Sequence, residues 1–186
     1  MQQEAMPPVA LDGLFTNHCV VQRDKPIRIF GVASGLAKVR VTFDRDTRTV
    51  PVKDGRFLAI FPKRKKATGL TIGLEGKTVA TDVAVGEVWI ASGQSNMEWP
   101  VAASDDFDRA RREADPRVRM ITIVKRAEVA PVRSVDAKWQ VASAETVGGF
   151  SGVANSFAHE LARRLDVPVG IVHSSWGGTP AESWIS

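Results

Sequence analysis

The sequence contains one cysteine, Cys19, so it can form no internal disulfide and no cysteine-based metal site. We expect Cys19 to be a small buried apolar side chain. No apolar run approaches the roughly 20 residues that a helix needs to cross a bilayer, which argues against a membrane-spanning helix. Residues Met1–Ala10 lack a basic start followed by an apolar stretch, so no signal peptide is visible. The chain also has no internal repeat and no low-complexity segment.

The charge balance gives little sign of a polyanionic partner. The net charge is +4, and 44% of the residues are hydrophobic, as is ordinary for a soluble globular protein. The densest basic run is Lys63-Arg64-Lys65-Lys66, which has no interleaved aromatic residues and no helical pattern around it. This run is typical of a solvated loop, and neither nucleic acid nor a membrane is an expected partner.

The first half of the chain has the pattern of short antiparallel strands. The stretch "AKVRVTF" places Val39, Val41 and Phe43 on one face and polar residues on the other. Turn-forming residues separate such runs, and Asp54-Gly55 favours a tight hairpin. The other predicted strands are "PIRIFGV", "RTVPV", "RFLAIF" and "LTIGLE". Residues 1–82 are therefore predicted to form a β-sandwich-like or barrel-like domain.

The pattern changes after Val85. The nearly continuous apolar run "VGEVWIASG" is typical of a strand buried on both faces of a parallel sheet. A charged helix is predicted over residues 105–114, a second buried strand over 118–124 and a third at "VPVGIVHSS". A helix with Ser151 as its N-cap is predicted at "SGVANSFAHELARRL", with an apolar row at Val153, Phe157, Leu161 and Leu165 beside a row of alanines. Residues 83–186 are thus predicted to be a parallel α/β layer, and the chain as a whole is of mixed class.

Ser95 is the first candidate for chemistry. It follows the predicted strand at Gly93-Gln94, and a hydroxyl at the carboxyl end of such a strand is how several hydrolase folds present a nucleophile. Met97 stands where a second elbow glycine would be, so the motif is not G-x-S-x-G. By this pattern alone, a serine that caps the next helix is the favoured alternative.

A second polar turn, "HSSWGGTPAESW", follows the third predicted strand of the α/β layer. Parallel α/β sheets gather their ligand sites at the carboxyl edge. Gly177 and Gly178 would let a backbone N–H approach a substrate oxyanion closely, although glycine pairs often form nothing more than a tight turn.

Four stretches together resemble the sialate O-acetylesterase family, a branch of the SGNH hydrolases. They are "VVQRDKPIRIFG", "VGEVWIASGQSNM", "GGFSGVANSFAHEL" and "VPVGIVHSSWGGTPAESW", in the family's own order from about Leu14 to Ser186. The resemblance implies an antiparallel N-terminal β-sandwich followed by the first part of a flavodoxin-like α/β (SGNH hydrolase) domain. It implies that Ser95 is the nucleophile, that its own N–H and the Gly177-Gly178 turn form the oxyanion hole, and that no metal or organic cofactor is needed. Substrate-site candidates are Gln94, Asn96, His173 and Trp176.

The sequence departs from the family at the general base. The family supplies the base from an Asp-x-x-His motif, and no such motif occurs in these 186 residues. His173 is the best substitute, although a strand-end histidine bonded to backbone is the favoured interpretation. His18 and His159 receive no role. We therefore expect an N-terminal portion of an esterase, inactive or nearly so alone, with a missing C-terminal segment or chain as a possible partner.

The expected function is removal of O-acetyl groups from sialic acids or related acetylated sugars, through an acetyl-Ser95 intermediate. An acetyl xylan esterase-like enzyme is a close alternative. A non-catalytic carbohydrate-binding or interaction module is another, since the five tryptophans could offer stacking faces to a sugar. The resemblance implies an extracellular or periplasmic location.

Overall fold

The structure is a computed structural model that describes residues 9–128, 130, 132 and 134–184. Two parts of the sequence predictions lie outside the described residues. They are residues 1–8, where a signal peptide was sought, and Ser186, where the family resemblance ends. The protein contains both helices and sheets, which confirms the predicted mixed class. Its described strands are β1 (Val9–Leu11), β2 (Val20–Gln22), β3 (Ile27–Ala33), β4 (Lys38–Phe43), β5 (Asp46–Pro51), β6 (Arg56–Phe61), β7 (Ala67–Leu74), β8 (Lys77–Gly93), β9 (Val118–Thr122), β10 (Trp139–Val141) and β11 (Val169–Ser175). The α-helices described are α1 (Ser95–Glu98), α2 (Phe107–Arg112) and α3 (Gly152–Leu165).

The short strands predicted in the first half are confirmed as β3 to β7. In β4 the side chains of Val39, Val41 and Phe43 are fully buried and Lys38 and Arg40 are exposed, as the alternation predicts. Burying a side chain such as Phe43 contributes roughly 1.5–3 kcal/mol. The predicted hairpin at Asp54-Gly55 is also present, with both residues at positive φ and reciprocal backbone hydrogen bonds between Lys53 and Arg56.

Two sheets organise these strands. One has the order β1-β3-β6, and all its pairs are antiparallel. The other has the order β10-β9-β11-β8-β7-β4-β5, with β2 added against β8. Cys19 lies just before β2 and is buried, as predicted, and burial raises the pKa of its thiol to about 12.

Strand β8 joins the two halves of the chain. Its first part pairs antiparallel with β7, and its second part, from Glu87 to Gly93, pairs in parallel with β11. The predicted domain boundary at residue 82 falls inside this strand, where Asp82 has a φ of 50° and the register with β7 is irregular. The division into residues 1–82 and 83–186 stays a prediction.

The α/β half places β11 between β8 and β9, with both neighbours parallel to it. Helix α3 begins as predicted, since the Ser151 hydroxyl accepts a hydrogen bond from the Ala154 N–H at 3.2 Å. The helix packs its alanine row (Ala154, Ala158 and Ala162) into the core and leaves Val153 and Phe157 largely exposed. Phe157 contacts the Trp89 ring edge-to-face. Among the described residues, no helix combines the length and apolar character of a membrane span.

This arrangement brings two turns together at one edge of the sheet. Because β8 and β11 are parallel, their carboxyl ends lie side by side, and Ser175 is in register with Gly93. The Trp176 N–H donates to the Gly93 carbonyl at 3.0 Å. The turn after β8 and the turn after β11 are therefore neighbours, as expected for the carboxyl edge of a parallel sheet.

Candidate active site

Ser95 lies at the first position of α1, directly after the turn that ends β8. Gly93 has a φ of 136°, a conformation that favours glycine and lets the chain turn sharply there. The Ser95 side chain is exposed, and its hydroxyl donates to the Gln94 amide oxygen at 2.9 Å. The same amide oxygen accepts the Ser95 N–H at 3.4 Å and caps the helix. The hydroxyl is thus accessible to a substrate.

The glycine turn after β11 lies against this serine. A Cβ placed on Gly177 would be 3.6 Å from the Ser95 Oγ and 2.9 Å from the Glu98 Oε2, so glycine permits this close approach. Gly178 has a φ of 80°, which again favours glycine, and a Cβ there would meet no atom within 4 Å. The structure therefore brings together Ser95 and the Gly177-Gly178 turn, which are 82 residues apart at their nearest in the sequence.

Glu98 and Lys125 connect the two turns, and sequence reasoning missed both. The Glu98 carboxylate accepts the Gly177 N–H and pairs with the Lys125 ammonium. The hydrogen bond from Lys125, followed by the one from the Gly177 N–H, holds the pKa of Glu98 below its usual value. Glu98 comes three positions after Ser95 on the same helical turn, which was an available signal. Nothing in the sequence pattern pointed to Lys125.

His173 is buried in β11 and engaged on both ring nitrogens. Its Nε2 lies 2.7 Å from the Ser175 Oγ and 3.2 Å from the Met97 carbonyl oxygen. Its Nδ1 lies 3.4 Å from the Thr122 Oγ1. Burial lowers the pKa of His173, although the Met97 carbonyl opposes that shift. Within the described residues, His173 makes no hydrogen bond to Ser95.

The other two histidines lie in different places. His18 pairs with Asp82 at 2.8 Å, next to the buried Arg119 side chain, which also hydrogen-bonds Asp82. Burial opposes ionisation of Asp82, but the hydrogen bonds and charges of His18 and Arg119 outweigh it and lower the Asp82 pKa. His159 lies on α3 with its Nε2 3.1 Å from the Glu113 carbonyl oxygen. Neither is hydrogen-bonded to Ser95 in the described part of the chain.

The remaining substrate-site candidates surround Ser95. Gln94 and Asn96 flank it and are exposed, and Asn96 also lines a cleft of about 750 Å³ between α2 and α3. Trp176 is partly exposed beside the glycine turn, and the Lys125 ammonium lies 6.0 Å from its ring centre. Among the residues that the structure describes, no group of three or more His, Cys, Asp and Glu is placed to hold a metal ion.

Several known proteins are similar to this chain in sequence or in fold. A family model described as carbohydrate esterase, sialic acid-specific acetylesterase, matches residues 85–186. The chain belongs to this carbohydrate esterase family. The chain is also similar to the sialate O-acetylesterase of Rattus norvegicus, with 32% identity over 147 residues, or 73% of this chain and 26% of that protein. The Homo sapiens sialate O-acetylesterase is 36% identical over 115 residues, or 56% of this chain and 22% of that protein.

A solved structure supports the relation to carbohydrate esterases. The crystal structure of a carbohydrate acetylesterase from Xanthomonas citri superposes with a TM-score of 0.88 at 32% sequence identity. The match covers 96% of this chain and 43% of the Xanthomonas citri chain. The chain therefore spans less than half the length of these esterase relatives, which are about two to three times as long. The part matched by the carbohydrate esterase family model contains Ser95, Glu98, His173 and both turn glycines.

Proposed function

We propose that this chain provides the nucleophile and the oxyanion donors of a carbohydrate O-acetylesterase that acts on acetylated sialic acids or related acetylated sugars. The observation that carries the proposal is the exposed Ser95 hydroxyl beside the Gly177-Gly178 turn at the carboxyl edge of the parallel strands. In the full enzyme this layer would be the first part of a flavodoxin-like SGNH domain behind an N-terminal β-sandwich. Membership of the carbohydrate esterase family supports this choice of reaction.

The reaction would run in two steps through Ser95. The Ser95 Oγ attacks the acetyl carbonyl carbon while a general base takes the hydroxyl proton, and that proton then passes to the departing sugar oxygen. Water next attacks the acetyl-Ser95 ester, and acetate leaves as Ser95 regains its proton. Both steps pass through a tetrahedral oxyanion, which backbone N–H groups stabilise.

The geometry favours Gly178 over Gly177 as the second oxyanion donor. The Gly177 N–H already donates to the Glu98 carboxylate. The Gly178 N–H has no protein acceptor in the described part of the chain, and neither has the Ser95 N–H beyond the 3.4 Å contact to Gln94. We infer that the Ser95 and Gly178 N–H groups bind the oxyanion, while Glu98 fixes the turn that presents Gly178.

We infer that the general base comes from outside these 186 residues. None of the three histidines is hydrogen-bonded to Ser95 within the described residues, and the His173 ring is engaged elsewhere. A serine without a base keeps its proton at neutral pH and is a poor nucleophile. The chain alone is therefore expected to be inactive or nearly so. The proposed site of action is extracellular or periplasmic.

The second candidate function is a non-catalytic carbohydrate-binding module. Two observations favour it. The His173 ring is hydrogen-bonded to groups other than Ser95, and several tryptophans are exposed, of which Trp99 is the most accessible at 58%. An acetyl xylan esterase-like activity would use the same Ser95 chemistry on a different sugar.

Acetate release tests these alternatives. The chain alone would be compared with a fused esterase, in which this chain is joined to the part of the Xanthomonas citri protein that it does not cover. Both would be assayed on 9-O-acetyl-N-acetylneuraminic acid and on O-acetylated xylo-oligosaccharides. We expect release by the fused esterase, none by its Ser95→Ala variant, and little or none by the chain alone.

Three results would contradict parts of the proposal. An active Ser95→Ala fused esterase would remove Ser95 from the mechanism. Release by the chain alone that disappears with Ser95→Ala would show a base within these residues. A fused protein that binds both sugars without releasing acetate would favour the binding module.

A further inference from the structure

A cleft of about 750 Å³ opens next to the candidate nucleophile. It runs between the segment that holds α1 and α2 on one side and the exposed side of α3 on the other. Asn96, the residue after Ser95, lines it. A cleft of this size can hold one or more sugar rings. The cleft and the Ser95 hydroxyl therefore share the short segment that carries α1, although Ser95 itself does not line the cleft.

Trp99 gives this cleft a fixed aromatic wall. Trp99 is 58% exposed, and its indole N–H donates to the Ala103 carbonyl at 2.9 Å. Its backbone N–H donates to the Ser95 carbonyl at 3.0 Å, so the ring is tied to the helix that carries the serine. A large aromatic face held in one orientation binds a flat apolar surface at little entropic cost. The C–H face of a pyranose ring is such a surface.

Unused polar groups line the same cleft. The side-chain amides of Asn96 and Asn155 and the hydroxyl of Ser156 have no hydrogen-bond partner within the described residues. Each amide offers both donors and an acceptor, and the hydroxyl offers both roles. Sugar hydroxyl groups donate and accept in the same way. A wall that combines one aromatic face, two free amides and one free hydroxyl therefore matches a saccharide.

The charges of the cleft favour a neutral sugar over a sugar acid. Among the described residues that line the cleft, Arg109 is the one lysine or arginine. Its guanidinium is paired with the Asp106 carboxylate at 2.7 Å. Asp115 and Glu160 are paired with arginines. The Glu113 carboxylate has no such partner among the described residues. A ligand carboxylate would have to compete with Asp106 for Arg109 and would face the unpaired Glu113 carboxylate, so its binding is less favourable than that of a neutral sugar.

We propose that this cleft binds a neutral saccharide unit of the acetylated substrate, stacked on Trp99 and hydrogen-bonded by Asn96 and Asn155. The inference rests on the proposed function, because it places the sugar beside an acetyl group at Ser95. It narrows the substrate class to acetylated glycans whose unit in this cleft carries no carboxylate.

Binding, measured without turnover, tests the inference separately from the esterase activity. The protein is the full chain with Ser95→Ala, and the probes are a neutral O-acetylated xylo-oligosaccharide and 9-O-acetyl-N-acetylneuraminic acid. Titrations followed by ¹H–¹⁵N NMR should show the neutral probe shifting the Trp99 indole signal and the Asn96 and Asn155 amide signals. The sialic acid should bind at least about tenfold more weakly.

Matched variants make the result specific. Trp99→Ala should weaken binding of the neutral probe about five- to tenfold, and Trp99→Phe should restore part of that loss because it keeps an aromatic face. Trp89→Ala is the control, since Trp89 is also largely exposed but does not line the cleft. Glu113→Arg should improve binding of the sialic acid and leave the neutral probe unaffected. Thermal unfolding of each variant verifies that it is folded.

Three results with the Ser95→Ala chain and its variants would overturn the inference. They are unchanged affinity in a folded Trp99→Ala variant, equal binding of both probes, and loss of binding in Trp99→Ala that Trp99→Phe does not recover at all. None of them depends on acetate release, so the proposed esterase function can fail or hold independently. An active fused esterase whose neutral substrate leaves the Trp99 signal unmoved would overturn this inference alone.

Discussion

Two serines lie at neighbouring strand ends of this protein, and they have opposite surroundings. Ser175, at the end of β11, is 8% exposed and lies 2.7 Å from the Nε2 of His173. Ser95, just past the end of β8, is exposed, and its hydroxyl is bonded to Gln94. A search for a serine–histidine pair would choose Ser175, yet a buried hydroxyl cannot meet a sugar ester. The comparison teaches that accessibility and nearby N–H donors identify a candidate nucleophile better than a histidine contact does.

The largest effect should be on the rate of acetate release by the fused esterase, when Ser95 and Ser175 are each replaced by alanine in separate variants. Ser95→Ala should lower the rate of acetate release about 10³-fold or more, because the nucleophile is lost. Ser175→Ala should lower it less than about tenfold, because Ser175 meets no substrate. Ser92→Ala, which removes an exposed serine near the end of β8, three positions before Ser95, is the matched control. Loss of activity in a folded Ser175→Ala variant would reverse the assignment.

His173→Ala should produce the next largest effect, on stability. The ring is 5% exposed and contacts the Ser175 hydroxyl, the Met97 carbonyl and the Thr122 hydroxyl. Removing it leaves a cavity and unpaired polar groups, so the free energy of unfolding should fall by about 2–3 kcal/mol. Urea denaturation of the chain measures this change. His159→Ala, which removes one contact to a carbonyl, should cost less than about 1 kcal/mol, and Ser95→Ala should cost less than about 0.5 kcal/mol.

The pH dependence of the free energy of unfolding should show that the His173 ring is buried, because a buried histidine and a solvent-exposed one respond differently to pH. Burial depresses its folded pKa below the ordinary value of 6.5, so the unfolded chain binds a proton more readily. Stability should therefore fall as the pH decreases below about 6.5 towards the folded pKa. His173→Asn should remove this part of the pH dependence, seen as urea midpoints between about pH 5 and pH 8. Identical pH profiles for the wild type and His173→Asn would mean that the ring titrates as it does in the unfolded chain.

The smallest effect should be seen at Glu98. Its folded pKa is lowered by Lys125 and by the Gly177 N–H, so its contact with the glycine turn is complete above the ordinary value of 4.5. The contact is lost as the pH falls through the lower folded pKa. The Gly177 amide signal in NMR should follow that titration with an apparent pKa below 4.5.

A charge-removal variant tests the cause of that shift. Lys125→Met should move the apparent pKa of Glu98 back towards 4.5, because the hydrogen bond from the Lys125 ammonium contributes most to the lowering. Lys66→Met is the control. It removes a lysine that pairs with Asp166 and not with Glu98, so it should leave the Gly177 titration unchanged. A Gly177 signal that does not respond between pH 3 and pH 6 would show that Glu98 does not hold this turn.

Much of the local structure could be predicted because its determinants are local. Alternating burial in β4, the Asp54-Gly55 hairpin and the Ser151 cap each depend on residues within a few positions. Predictions that depended on distant pairing were less complete. The sequence pattern did not reveal that β8 runs as one strand through the predicted boundary, or that β10 pairs antiparallel with β9. Such pairings bring together residues far apart in the chain, and no local period encodes them.

The candidate site divides in the same way. Ser95, Gly177 and Gly178 stood out because a strand followed by a polar, glycine-containing turn is visible in the sequence, and the family resemblance then gave them their predicted roles. Lys125 was missed, since it reaches Glu98 across the sheet edge and belongs to no motif. The packing of α3 was also open until the structure placed its alanines, rather than Val153 and Phe157, against the core.

By itself, the sequence determined many of the strand and helix segments and the mixed class, and it marked the candidate serine and glycine turn, because hydrophobic period and turn chemistry act over short distances. The tertiary structure alone decided that β11 lies between β8 and β9, which sets Gly177 against Ser95. It also decided that Ser175 and His173 are buried while Ser95 and Trp99 face solvent. Exposure and contact between distant residues arise when the whole chain is packed, so no short stretch could have specified them.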